Sequence, residues 1–258
     1  MFYSMVLAID IGNTNSIIGC FEKEKILFTE RISTNRTATD LEYASVIGMA
    51  LQIHGYKAEE LSGAIISSVV PSVTGTMKRA VEKYSGVKAM VVSPGVKTGL
   101  SILVDNPAQL GADLVAVAVA GIKNYPVPLV IVDMGTATTF SVIDKHKNYV
   151  GGLIMTGVSV SAEALTRSTS QLPQIAFDAP KKLIGKNTVD CMRSGIMYSG
   201  ACAIDGIVER IEEEIGAKCT VVATGGVASI ITPLCKREII LDEELAMKGL
   251  MIIYNKNA

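Results

Sequence analysis

Two stretches decide the fold of this chain, and each runs from an apolar segment into an aspartate and a glycine-containing turn. The first reads Val6-Leu7-Ala8-Ile9-Asp10-Ile11-Gly12-Asn13-Thr14-Asn15, and the second reads Leu129-Val130-Ile131-Val132-Asp133-Met134-Gly135-Thr136-Ala137-Thr138-Thr139. Such an apolar run predicts a strand buried on both faces, with the aspartate at its end. Because the pattern recurs after roughly half of the 258 residues, two similar halves are predicted.

The chemistry of these two turns points to bound phosphate. Gly12 and Gly135 permit a tight turn whose backbone N–H groups face an anion. Short hydroxyl side chains can add hydrogen bonds, namely those of Thr14, Thr136, Thr138 and Thr139. A carboxylate at the strand end can position a hydrated Mg²⁺ on the β- and γ-phosphates of ATP. The simpler alternative is that Asp10 and Asp133 only cap the turns, and their duplication argues against it.

Composition restricts the classes of function. Apolar residues make up 49% of the chain and charged residues 19%, which supports a large core and argues against disorder. The net charge of −1 gives no basic field that would attract nucleic acid or an anionic membrane. The five cysteines form no C-x-x-C pair, and the apolar run Met5–Ile9 is too short for an export signal or a membrane span. A soluble, cytoplasmic protein is therefore expected.

The predicted order of elements is βββαβα in both halves. In the first half, one strand is predicted from residue 5 to the first turn, and further strands over 16–21, 25–32, 63–70 and 89–93, with helices over 40–55 and 74–84. In the second half, strands are predicted over 129–132, 139–144, 149–154 and 219–223, with helical regions over 159–166 and 187–215. The long helical region is expected to be partly broken at Gly195 and Gly200. The pattern predicts an α/β fold of two domains, 1–125 and 126–258, with mixed sheets and helices on both faces.

The segment 105–124 lies between the halves, and a further helix is predicted within it, with Asn106 as N-cap and Pro107 at its first position. Asp113 lies early in this apolar helix. Spacing alone slightly favours an acid that complements the helix dipole. The alternative is a general base that accepts a proton from a substrate hydroxyl attacking the γ-phosphate. Farther along, Thr224-Gly225-Gly226 is either an ordinary strand-to-helix turn or a flat seat for an adenine ring.

Taken in chain order, the motifs carry a resemblance to a known family. They are Asp10-Ile11-Gly12-Asn13-Thr14, Gly111-Ala112-Asp113, Asp133-Met134-Gly135-Thr136-Ala137-Thr138-Thr139, Gly151-Gly152-x-Ile154 and Thr224-Gly225-Gly226. With them the chain resembles type III pantothenate kinase, of the acetate and sugar kinase/Hsp70/actin superfamily, over about residues 5–250. The resemblance implies two ribonuclease H-like domains with an ATP cleft between them, the actin-like ATPase fold. It also implies a homodimer that phosphorylates pantothenate to 4'-phosphopantothenate, the first step towards coenzyme A.

The resemblance implies roles for individual residues, with Asp113 as the catalytic base. The expected ATP contacts are Asp10, Ile11, Gly12, Asn13, Thr14, Asn15, Ser16 and Ile17 of the first phosphate loop, together with Thr136, Gly225 and Gly226. The expected pantothenate contacts are Val104, Gly111, Ala112, Asp113 and Leu114, and Thr188 from the partner subunit. Asp133 matches the family's ligand for a monovalent cation, K⁺ or NH₄⁺, and Asp10 would hold Mg²⁺ through phosphate-bound water.

Three positions at the substrate end depart from the family pattern. Val104 stands where the family usually has tyrosine, Leu114 where it has arginine, and Thr156 where it has proline. An arginine can grip the pantothenate carboxylate through two charge-assisted hydrogen bonds of about 1.5–3 kcal/mol each, and leucine offers none. The affinity for pantothenate is therefore expected to be lower unless Arg167 or Arg193 compensates. The alternatives are a kinase of a different small alcohol, or a nucleotide-binding paralogue without pantothenate kinase activity.

Overall fold

The computed structural model describes residues 5–258, so the first four residues of the predicted domain 1–125 lie outside it. The chain divides into two compact units, each discontinuous in sequence. Unit 1 comprises the residues up to Leu100, 106–120 and 245–258, and unit 2 comprises 101–105 and 121–244. The units differ from the two consecutive segments 1–125 and 126–258, because the last helix, α7 (Leu245–Asn257), packs within unit 1.

Unit 1 is built on a five-stranded mixed sheet in the order β3-β2-β1-β4-β5. Its elements are β1 (Met5–Ile11), β2 (Asn15–Glu22), β3 (Lys25–Ser33), α1 (Asp40–Ile53), β4 (Leu61–Ser68), α2 (Pro71–Ser85) and β5 (Ala89–Val91). β1 pairs antiparallel with β2 and parallel with β4. All the predicted elements are present. α2 begins at Pro71, earlier than predicted, because proline suits the first position of a helix.

The helix predicted between the halves begins later than expected. Pro107 starts a single 3₁₀ turn, Pro107–Gln109, and the Asn106 side chain does not cap it. Leu110 then has an extended backbone, with φ −67° and ψ 126°, which ends the turn. α3 runs from Ala112 to Asn124. The prediction of one helix that begins at Pro107 is therefore wrong, although Asp113 does lie in the first turn of α3.

The two faces of the unit 1 sheet are covered by different helices. α1 and α2 pack on the face that contains Ile9 and Ile66. α7 lies against β1 and β4 on the other face. α3 packs beside α7, where Gly249 approaches the Ala116 backbone too closely for any side chain. Since successive strand residues point to opposite faces, Asp10 points to the face that α7 covers.

Unit 2 repeats the strand pairing of unit 1. Its sheet has the order β11-β10-β7-β8-β9-β6, so β9-β8-β7-β10-β11 matches β3-β2-β1-β4-β5 in order and in strand direction. The elements are β6 (Ser101–Ile102), β7 (Leu129–Met134), β8 (Ala137–Ile143), β9 (Asn148–Thr156), α4 (Val158–Arg167), α5 (Thr188–Ile215), β10 (Thr220–Thr224), α6 (Ala228–Ile231) and β11 (Ile240–Leu241). The internal repeat predicted from the two aspartate turns is confirmed.

The long helix α5 is continuous, so the predicted breaks at Gly195 and Gly200 are wrong. Gly200 has a packing role instead. A Cβ at this position would lie 3.3 Å from Val158 Cγ2, so the glycine allows α4 to approach α5 closely. Within residues 5–258, no helix is both long and apolar enough to cross a membrane.

A buried carboxylate ties the end of α5 to the segments that follow it. Glu212 is 8% exposed. It accepts hydrogen bonds from Lys218 Nζ at 2.8 Å, from the Cys219 amide at 3.1 Å and from Arg237 Nη2 at 3.2 Å. Burial raises the pKa of Glu212, but the three donors outweigh it and bring the pKa to about 2. The ionised form therefore stabilises the fold.

Glu212→Gln is expected to lower the free energy of unfolding by about 3 kcal/mol at neutral pH, because the buried Arg237 loses its nearer carboxylate partner and keeps only Asp205, at 3.9 Å. The folded-state pKa is depressed, so this stabilisation is present above the unfolded-state value of 4.5 and is lost as the pH falls towards 2. Urea denaturation across this pH range measures both effects. Glu213→Gln changes an exposed neighbour and serves as the control. Equal stability of Glu212→Gln and Glu213→Gln at neutral pH would contradict the prediction.

Candidate active site

The first loop, between β1 and β2, is a tight turn. The Gly12 amide donates to the Asn15 carbonyl at 3.0 Å. A Cβ at Gly12 would lie 2.8 Å from the same oxygen, so the turn requires glycine. Asn13 and Thr14 are exposed at its tip, and Asp10 is half-buried at the end of β1. This is the tight, glycine-containing turn that the sequence predicts.

Thr34, which the sequence analysis missed, holds the first loop in place. Its Oγ1 donates to the Gly12 carbonyl at 2.7 Å and hydrogen-bonds with Ser16 Oγ at 2.8 Å. Its amide donates to the Thr14 carbonyl at 2.9 Å. Thr34 follows β3 and reaches the loop only through the pairing of β2 with β3, so no local motif marks it.

The second loop, between β7 and β8, is closed by a hydrogen bond from the Gly135 amide to the Ala137 carbonyl at 3.0 Å. Gly157, which directly precedes α4, packs on this loop. Its amide donates to the Thr136 carbonyl at 3.1 Å, and a Cβ at Gly157 would overlap the loop carbonyls. Gly157 is thus a second residue that sequence reasoning missed. The only available signal was its place in the segment that begins Gly151-Gly152.

The predicted adenosine motif lies against the same loop. Thr224 pairs with Asp133 in the parallel ladder of β10 and β7. Gly225 has φ +96°, and a Cβ there would lie 2.6 Å from both Asp133 Oδ1 and Met134 N. Gly226 follows and is exposed. Unit 2 therefore brings the second loop, Gly157 and the Thr224–Gly226 turn together at the carboxyl ends of β7 and β10.

Asp113 lies at the start of α3 in unit 1. Leu114 N–H donates to its Oδ1 at 2.7 Å. Burial raises the pKa of Asp113, and backbone hydrogen bonds lower it by less. Gly111 packs against this carboxylate, and a Cβ at Gly111 would lie 3.5 Å from Val69 Cγ1. Val69 is in turn tied to the end of β1, because its amide donates to the Ile11 carbonyl at 3.1 Å. A basic carboxylate therefore lies at the edge of unit 1 that carries the first loop.

The other predicted substrate residues lie in different segments. Gly111, Ala112 and Leu114 flank Asp113, and Val104 lies in the irregular segment after β6. Thr188 is the exposed first residue of α5, whose N-cap Asn187 accepts the Asp190 amide at 2.9 Å. Their contacts with substrate stay predictions.

Both arginines considered as substitutes for the missing guanidinium are engaged. The Arg193 side chain is 17% exposed, donates to the Ala176 carbonyl at 3.4 Å and pairs with Asp190 at 3.4 Å. Arg167 pairs on the surface with Glu163 at 3.5 Å. These contacts occupy Arg193, whereas the surface pair of Arg167, which is 81% exposed, holds that side chain only weakly.

Comparison with known sequences identifies the family. The sequence model of type III pantothenate kinase matches residues 6–210. The type III pantothenate kinase of Bacillus cytotoxicus (strain DSM 22905 / CIP 110041 / 391-98 / NVH 391-98) is 43% identical over 254 residues, which covers 98% of this chain and 97% of the relative. The chain belongs to the type III pantothenate kinase family. It is a kinase that uses ATP and acts on a small molecule, as the motifs predicted.

Solved structures with the same fold agree with the repeat. The activator of 2-hydroxyisocaproyl-CoA dehydratase from Clostridium difficile, with bound ADPNP, has a TM-score of 0.57 at 18% identity, covering 98% of this chain and 93% of that one. Component A of (R)-2-hydroxyglutaryl-CoA dehydratase from Acidaminococcus fermentans has a TM-score of 0.56 at 16% identity, covering 97% of both chains. At these identities the likeness concerns the fold alone, and it confirms the predicted actin-like ATPase fold.

Proposed function

We propose that this chain transfers the γ-phosphoryl group of ATP to the terminal hydroxyl of pantothenate, with Asp113 as the proton acceptor. The observation that carries this assignment is the half-buried Asp113 carboxylate at the start of α3, whose pKa is raised by desolvation. A general base works best when its pKa approaches the operating pH, and an exposed aspartate is too weakly basic. In the proposed step, Asp113 accepts the hydroxyl proton as the oxygen attacks phosphorus, and ADP leaves.

The two loops are proposed to bind the polyphosphate chain of ATP. The turns at Gly12 and Gly135 are closed by their own backbone hydrogen bonds, so little reorganisation is needed on binding. Exposed hydroxyls of Thr14 and Thr136 can add donors. The Thr224–Gly226 turn is proposed to receive the adenosine.

The oxygen atoms at the two strand ends fit hard cations. Asp133 has Thr139 and Thr224 as its neighbours in the two ladders, and carboxylate and hydroxyl oxygens suit a monovalent cation such as K⁺ or NH₄⁺. Asp10 would hold Mg²⁺ through phosphate-bound water. Bound Mg²⁺ would neutralise charge on the β- and γ-phosphates.

A homodimer is proposed in which the partner subunit's Thr188 contacts pantothenate. Its support is the exposed apolar surface of unit 2 close to this residue in sequence: Leu183 is 62% exposed and Ile184 is 79% exposed. Two adjacent apolar side chains this exposed would be stabilised by burial against another chain.

A coupled assay of ADP release with pantothenate, Mg²⁺ and K⁺ tests the proposal. Turnover of about 1–100 s⁻¹ is expected, as is usual for kinases. Omitting pantothenate measures the background ATP hydrolysis. Turnover no higher than that of an Asp113→Asn variant would overturn the assignment.

Leu114→Arg is expected to lower the KM for pantothenate about tenfold or more, with kcat nearly unchanged, because a guanidinium can bind the carboxylate in a bidentate manner. Steady-state kinetics with saturating MgATP measure both constants. Pantothenol, in which a hydroxymethyl group replaces the carboxylate, should show no gain, and Leu114→Met is the apolar control. An unchanged KM for pantothenate in Leu114→Arg would contradict the placement of residue 114 beside the carboxylate.

A further inference from the structure

Buried hydroxyls without a hydrogen-bond partner occur beside both loop aspartates. Within residues 5–258, the buried side-chain hydroxyls that lack a partner are Ser67 Oγ and Thr139 Oγ1. Ser67 pairs with Asp10 in the parallel ladder of β4 and β1. Thr139 pairs with Asp133 in the antiparallel ladder of β8 and β7. Each unit therefore sets one such hydroxyl directly beside its loop aspartate.

Ser67 provides the stronger case because it is 0% exposed. Residues paired on neighbouring strands point to the same face of a sheet, so the Ser67 hydroxyl shares a face with Asp10. This is the face opposite α1 and α2, since the alternate residues Ile9 and Ile66 pack against those helices. A buried hydroxyl without a partner is unfavourable, and native structures rarely retain one without a function.

Hydroxyls next to Ser67 are all used to build the scaffold. Ser68 Oγ accepts the Val70 amide at 3.1 Å and the Thr74 hydroxyl at 2.8 Å, which together hold the turn from β4 into α2. On the far side of β1, Ser16 is bonded to Thr34 at 2.8 Å. Ser67 alone at this strand end makes no such bond among the described residues.

We propose that Ser67 is a positioning residue of the nucleotide site, whose hydroxyl binds a water of the hydrated cation that Asp10 holds on the phosphates. A hydroxyl can accept from one group and donate to another, which suits a water ligand better than a bare phosphate oxygen. Thr139 has the corresponding role in unit 2, toward the monovalent cation proposed at Asp133. This inference rests on the proposed function, since it requires MgATP as the ligand.

Ser67→Ala is expected to leave the Tm of the nucleotide-free protein unchanged or slightly higher, because no protein hydrogen bond is lost. The same variant is expected to weaken the Kd for MgATP about tenfold, and to leave the Kd for ATP in EDTA unchanged. Calorimetric titration and thermal unfolding of the full chain measure these quantities. The Mg²⁺ concentration for half-maximal activity should rise in parallel. Ser67→Thr, which keeps the hydroxyl, should bind MgATP more tightly than Ser67→Ala.

Ser141→Ala is the matched control. Ser141 is 1% exposed and lies on β8 like Thr139, but its hydroxyl is bonded to Tyr149 at 3.3 Å. This variant should lower the Tm and leave the Kd for MgATP unchanged, the opposite pattern to Ser67→Ala. Thr139→Val, compared with Thr139→Ser, tests the corresponding role in unit 2, and it should weaken the Kd for MgATP measured in K⁺ but not the Kd measured without K⁺.

Three results would overturn the inference. The first is a lower Tm for Ser67→Ala with an unchanged Kd for MgATP, which would make the hydroxyl structural. The second is an equal loss of affinity for MgATP and for ATP in EDTA, which would place the contact on the nucleotide itself. The third is that Thr139→Val and Thr139→Ser have the same Kd for MgATP in K⁺. Failure of the wild-type protein to bind MgATP would instead overturn the proposed function.

Discussion

Replacing Asp113 by asparagine is expected to lower kcat by about 10²- to 10⁴-fold and to leave the Kd for MgATP within about twofold of the wild-type value. Asparagine has nearly the same shape, and its carbonyl can still accept the Leu114 amide that Asp113 Oδ1 accepts at 2.7 Å. Only the proton acceptor is lost. Steady-state kinetics give kcat, and calorimetric titration gives the Kd.

The same substitution is expected to increase stability at neutral pH. Burial raises the pKa of Asp113, so the folded state disfavours the ionised carboxylate. A raised carboxyl pKa means that stability falls as the pH rises from the unfolded-state value of 3.8 through the folded-state value. The asparagine side chain carries no charge, so the Asp113→Asn variant should unfold at a higher temperature than wild type at neutral pH. The two proteins should converge below the unfolded-state value.

The pH dependence of turnover separates the catalytic role from a helix-dipole role. Wild-type kcat should fall on the acid side as Asp113 takes up a proton, and the residual activity of the variant should lack that limb. Asp178→Asn changes a carboxylate that is 74% exposed, and it should keep both activity and the limb. An acid limb that persists in the Asp113→Asn variant, with little loss of kcat, would contradict the assignment.

The fold could be predicted where the signal was local. The runs before Asp10 and Asp133 are continuous in sequence, and such runs become strands almost regardless of context. Two such strands, each followed by the same order of elements, imply the same sheet twice. The membership of α7 in unit 1 depends on contacts between β1 and residues more than 200 positions later, and no local pattern encodes them. The break predicted at Gly200 was wrong for a similar reason, since the role of this glycine is its packing against α4.

Site residues could be predicted where they belong to a continuous sequence motif. Asp113 was ambiguous from spacing because an acid in a first helical turn is common, and its burial in the tertiary structure supplies the missing argument. Thr34 and Gly157 could not be found, because each meets a loop only through strand pairing or packing. The residues that form a loop can thus be predicted from the sequence, whereas the residues that support it are found only from the strand pairing and packing of the structure.

Gly225→Ala is expected to weaken the Kd for MgATP at least 100-fold and to lower the free energy of unfolding by about 3 kcal/mol. Gly225 has φ +96°, which an L side chain rarely adopts. The added Cβ would also lie 2.6 Å from Asp133 Oδ1 and 2.6 Å from Met134 N. Because Met134 N is backbone, the second loop itself must move, and displacement of a binding loop by a fraction of an ångström is enough for a loss of this size. Calorimetric titration and urea denaturation measure the two effects.

Gly216→Ala separates backbone strain from displacement of the loop. Gly216 also has positive φ, +73°, at the end of α5, but no atom lies within 4 Å of the position that its Cβ would take. This variant should lose about 1 kcal/mol of stability from strain and keep the wild-type Kd for MgATP. If Gly225→Ala matched Gly216→Ala in both measurements, the second loop would tolerate the extra carbon. The contact between Asp133 and the Thr224–Gly226 turn would then have no part in nucleotide binding.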